Sequence, residues 1–180
     1  MLSITGNGVR VKCVNGLPQR GAAQNQTVPL GVEVDLSDLE RTPKGSIVGR
    51  VWLVLDDYAF PERAWSDLIV VILGWWIEEF LRVQAADETT ITLQFMDGPY
   101  SVRLQAPPEG DTWSVSLLRD RAPLGSKREA TGLVQRAPFA TGVVNVAREV
   151  IDACRRNGWS DDREVLKLGR LADALAMRGR

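Results

Sequence analysis

The chain has 180 residues, 44% apolar and 25% charged, with 22 basic and 23 acidic side chains and a formal net charge of −1. That composition fills a core of ordinary domain size and excludes a disordered chain or one that needs a disulfide framework. The absence of histidine excludes Ser-His-Asp and Cys-His nucleophilic sites and His-ligated zinc, and two cysteines cannot alone hold a four-thiolate site.

In chain order, Val9–Val14 (VRVKCV) alternates apolar and polar residues and reads as a half-buried strand, followed by a loop over 15–27. Val28–Leu36 alternates again, with Pro29 suited to a strand start or an edge. Leu36–Glu40 reads as a helical turn that Ser37 can cap. Ile47–Leu55 is the strongest early strand, ended by Asp56, Asp57 and then Pro61. Ser66–Val83 reads as the central helix, with Ser66 as N-cap and Asp67 at its positive end. Its first half is apolar all round, so it is buried there; the β-branched run Leu68–Leu73 also admits a strand. Its second half is amphipathic. Trp75 and Trp76 cannot share one helical face, so one enters the core and the other covers a second surface.

Thr89–Met96, Tyr100–Gln105 and Trp113–Arg119 alternate, joined by turns at Asp97-Gly98-Pro99 and Pro107–Asp111, which is a β-meander. Thr131–Arg136 can add a strand after a polar loop over 120–130. Thr141 reads as the N-cap of a helix that Gly158 stops, and Ser160 as the cap of a second helix, together an αα-hairpin. Strands and helices run in blocks rather than in βαβ alternation. The expected fold is therefore α+β: a mostly antiparallel meander sheet packed by a buried central helix and a C-terminal helical hairpin. One domain is expected over 1–180, with the hairpin at 140–180.

Charge is unevenly spread. Residues 51–100 carry −7, against +2 before them and +4 after them. Nine carboxylates lie in that segment, but their spacing matches no metal-binding loop, and neighbours such as Glu78 and Glu79 point about 100° apart on a helix. There is no GxGxxG after a strand and no GxxxxGK[ST], so no cofactor is expected, nor a metal site. Cys13 and Cys154 read as small core residues. The near-even overall charge argues against nucleic acid as a partner. A helix-turn-helix reading of the hairpin fails because Asp161, Asp162 and Glu164 open its second helix, where DNA would be met. The longest apolar run, Leu68–Ile77, is too short to span a bilayer, which takes about 20 residues. No signal-type N-terminus is read either, so a cytoplasmic protein away from membranes is expected.

The stretch Ala64–Leu104 carries Trp-x-Asp (Trp65, Asp67), an apolar run into a Trp pair (Leu68–Trp76) and Phe-x-Asp-Gly-Pro-Tyr (Phe95, Asp97, Gly98, Pro99, Tyr100). This combination resembles small bacterial cytoplasmic domains, some of them similar to immunity proteins of polymorphic-toxin and contact-dependent inhibition systems. The resemblance implies a non-enzymatic protein-binding module that neutralises a cognate toxin. From the acidity of this chain, Asp56, Asp57, Glu62, Glu78 and Glu79 are the candidate contacts to a basic toxin domain, with Trp75 as an anchor. Two alternatives stand beside it. One is an enzyme using carboxylates or a divalent metal, which needs three or more acids to converge. The other is a secretion chaperone or structural accessory protein, which would form a homo-oligomer.

Overall fold

A computed structural model of the chain describes residues 26–86, 89–106 and 111–178. The strand expected at Val9–Val14, with Cys13, most of the loop after it and most of the turn at 107–110 lie outside the described residues.

The strands divide into two four-stranded antiparallel sheets. The first contains β1 (Leu30–Arg41), β2 (Ile47–Leu55) and β3 (Tyr58–Phe60) in that order, and β4 (Ser66–Asp67) also pairs with β2. Helix α1 (Ile69–Ala86) follows. The second sheet is the meander β5 (Thr90–Gln94), β6 (Tyr100–Gln105), β7 (Thr112–Asp120) and β8 (Ser126–Gln135). Helices α2 (Arg136–Arg156) and α3 (Arg163–Arg178) close the described chain. The α+β architecture with a C-terminal helical pair agrees with the sequence reading.

One apolar cluster runs through both sheets and all three helices, from Leu53 and Phe60 through Trp76 and Phe80 to Leu104, Phe139 and Leu168. Helix α1 packs on β2 of one sheet and on β5 of the other, and α2 and α3 pack on it and on each other. This central position explains why its first half is apolar all round: Ile69, Ile72, Leu73, Trp76 and Ile77 are fully buried. Trp76 donates its indole N–H to the Gln94 carbonyl at 2.8 Å, while Trp75 is 37% exposed. No helix among the described residues is long and apolar enough to cross a membrane.

Several boundaries differ from the expectation. Residues 36–40 continue β1 rather than forming a helical turn. Asp35 accepts bonds from the Ser37 N–H (3.0 Å) and hydroxyl (2.7 Å), and the register slips there, leaving residues 36–39 opposite Gly49 alone. Ser66 and Asp67 pair with β2, so the helix begins only at Ile69. Of the loop expected over 120–130, only 121–125 remain a turn; Asp120 and residues 126–130 lengthen β7 and β8. Helix α2 begins at Arg136, directly after β8, and not beyond Thr141. Pro138 sits in its first turn, where the missing N–H is not needed. Gly158, at φ 75°, ends α2 as expected: its N–H reaches Arg155 O (3.0 Å) and the Trp159 N–H reaches Cys154 O (2.9 Å). Asp162, not Ser160, caps α3, accepting the Glu164 and Val165 N–H groups at 2.9 and 3.4 Å.

Candidate functional site

The six candidate contact residues fall on two parts of the fold. Asp56 and Asp57 form the tip between β2 and β3. Asp56 adopts φ 56°, a left-handed conformation that Asp tolerates better than most residues, and its N–H donates to Pro29 O at 2.9 Å. Both side chains are exposed, and neither forms an ion pair or a side-chain hydrogen bond among the described residues. Tyr58 follows at 43% exposure, and Glu62 is exposed beyond the far end of β3. Asp56 also borders a groove of about 830 Å³ over β7 and β8, where Arg128, Ser116 and Thr131 line the opposite side.

Trp75, Glu78 and Glu79 lie instead on the outward face of α1, with Arg82 one turn further on. Both glutamates are engaged. Glu78 meets Lys167 Nζ of α3 at 2.9 Å. Glu79 accepts from Arg82 at 2.8 Å and from the Thr92 N–H of β5 at 3.4 Å. The Arg82 hydrogen bond comes first in holding the Glu79 carboxyl below its ordinary range. Each glutamate therefore ties α1 to a different neighbour. The strip they share with Trp75 holds charge that is already matched, whereas the tip holds charge that is not.

The motif residues Trp65, Asp67 and Phe95–Tyr100 meet in one place. Asp67 is 4% exposed. Its Oδ1 accepts the Leu68 N–H at 2.7 Å, and its Oδ2 accepts the Met96 and Asp97 N–H groups at 3.0 and 3.2 Å and the Trp65 indole N–H at 3.4 Å. The carboxylate thus pins the entrance of α1 to the β5–β6 turn. Tyr100 packs edge-on against Trp65 and Phe60, with ring centroids 5.1 and 5.7 Å away, and Phe95 does the same against Trp76 at 5.3 Å. A Cβ on Gly98 would stand 2.8 Å from the Tyr100 ring, and the φ of 81° there is itself hard for other residues. The spacing that carries the resemblance is therefore a structural junction. Sequence reasoning placed Asp67 at the positive start of the helix and missed this role. The available signal was its position: a carboxylate that opens a helix whose first half is apolar all round has protein N–H groups as its partners.

Among the described residues no three Asp, Glu or Cys side chains come together in a way that could hold a metal ion. Cys154 is buried, and desolvation, with a contribution from the nearby Asp162 carboxylate, pushes its thiol up to about 11. Such a thiol is protonated at neutral pH and a poor nucleophile. What the exposed tip offers is two solvated carboxylates beside a tyrosine, a surface able to make charge-assisted contacts to basic side chains. No protein-family model, no curated protein and no solved structure matches this chain.

Proposed function

We propose that this protein is a non-enzymatic protein-binding module of the cytoplasm whose β2–β3 tip binds a basic partner, in the manner of an immunity protein that neutralises a toxin domain. The observation that carries the reading is the exposure of Asp56 and Asp57 without an ion-pair partner among the described residues, next to a tyrosine that is 43% exposed. Unmatched charge at a rim speeds encounter with an oppositely charged partner, and Tyr is a frequent interface anchor. Glu62, exposed past the other end of β3, is a separate acidic contact in this reading. Glu78 and Glu79, already paired, are assigned to holding α1 in place, and Trp75 remains the apolar contact of that second strip.

The test is affinity capture from the cells that make the protein, with the wild-type chain and an Asp56→Asn/Asp57→Asn variant side by side. Asn keeps the left-handed conformation at position 56 accessible while removing the charge. The expected result is a stoichiometric basic protein, toxic when produced alone, that associates about tenfold more slowly with the variant at low salt, a difference that shrinks as salt rises. A partner that associates equally fast with both chains would overturn the assignment of the tip. Capture of no partner, or only of further copies of this chain, would overturn the binding-module reading in favour of a homo-oligomeric accessory protein.

A further inference from the structure

A second concave surface, independent of the acidic tip, lies across α2 between the ends of α1 and α3. It is a groove of about 850 Å³, within the range of about 300–1,000 Å³ usual for small-molecule sites. Its apolar lining includes Ala140 and Val144 of α2 and Leu175 and Ala176 of α3, with Val144 and Leu175 buried. Small side chains there leave room for an inserted apolar body. Arg136, Arg148 and Arg178 also line it, against one carboxylate, Asp111, among the described residues. Three cations at one groove are notable in a chain whose net charge is −1.

The arginines are held differently. The Arg136 guanidinium lies 5.2 Å from the centre of the Trp113 ring, which orients it without neutralising it. Arg148 reaches Asp173 at 3.5 Å, an exposed pair worth little and easily exchanged for another anion. Arg178 is exposed in the last turn of α3. Thr141 and Asn145 add polar groups to the same wall. A lining that combines apolar side chains with arginines suits a ligand that is apolar at one end and anionic at the other.

We infer that this groove binds a small amphipathic anion, an acidic head group on an apolar body. Arg148 and Arg178 hold the head while Ala140, Val144 and Leu175 receive the body. The head can be a carboxylate or a phosphate, since guanidinium groups pair with both.

The test is a fluorescence titration of the full chain with 8-anilinonaphthalene-1-sulfonate, an aromatic anion of this shape. One saturable site per chain is expected, with the dye displaced by octanoate or octyl phosphate and not by octanol at the same concentration. The more effective of the first two identifies the head group. Arg148→Gln and Arg178→Gln should each weaken binding about three- to fivefold, the range of an exposed ion pair. Arg121→Gln, in the β7–β8 turn, should leave affinity unchanged. Ala140→Trp, which fills the groove, should abolish binding; if that variant does not fold, the arginine variants decide. Lack of saturable binding, displacement by octanol as effective as by octanoate, or affinity indifferent to both arginine substitutions would each overturn the inference. Binding of a decaglutamate peptide without binding of octanoate would also overturn it, in favour of an acidic protein segment as the occupant.

Discussion

Asp67 shows how much one side chain can carry. Its four hydrogen bonds all come from N–H groups of the protein, and it is 4% exposed. Removing it leaves several part-buried donors without their acceptor at the entrance of α1 and at the β5–β6 turn. Asp67→Ala is expected to cost about 2–4 kcal/mol, read as a lower urea midpoint at unchanged slope. A loss below half a kcal/mol would show that water replaces the carboxylate. Cys154 acts through protonation. Its thiol ionises only near pH 11 in the folded chain, against 9.0 as the ordinary value. The unfolded chain therefore gives up its proton first as pH rises. Its contribution is complete below about pH 9 and lost between about 9 and about 11. Cys154→Ala should show a shallower loss of stability across that window in pH-dependent urea unfolding. Identical slopes for the two chains would contradict the buried thiol.

Where elements start and stop was less legible than which elements exist. Ile47–Leu55 falls where its β-branched apolar run placed it, and Tyr100–Gln105 where the alternation did. The helix starts moved because backbone pairing overrode capping signals. Ser66 joins β4, and α2 follows β8 without a loop, so neither Ser66 nor Thr141 caps a helix. For α3 a capping side chain is present, but it is Asp162. This residue also receives the Arg41 guanidinium from β1 at 3.0 Å, and its own side chain is only 12% exposed. That contact between distant segments favours Asp162 over Ser160, and no local pattern contains it. Asp162→Ala should lower stability by about 1–2 kcal/mol through the lost cap and ion pair. Ser160→Ala, at an exposed position, should change it by less than about 0.5 kcal/mol. Thermal unfolding of the two variants distinguishes the residues directly.

For the whole molecule, the notable feature is that two separate sheets share a single core through α1. Neither sheet has an apolar cluster of its own apart from it. Unfolding is therefore expected to be one cooperative transition, with tryptophan fluorescence and far-ultraviolet circular dichroism tracing the same urea curve. Two resolved transitions would mean that the sheets unfold independently. The sequence by itself determined the class and order of the longer elements, though not the short β3 and β4 or the strand character of 36–40, because hydrophobic period and turn residues are local properties. It also determined that Trp75 and Trp76 must part, since adjacent helical residues diverge by about 100°. Only the tertiary structure decided that the strands form two sheets, and that Asp67 anchors the β5–β6 turn rather than merely favouring the positive end of a helix. It alone separated the acidic residues into a tip with unmatched charge and a strip where Lys167, Arg82 and the Thr92 amide had already claimed Glu78 and Glu79. Charge pairing depends on residues far apart in the chain, Glu78 and Lys167 among them, and nothing in the local pattern of a sequence encodes which of them will meet.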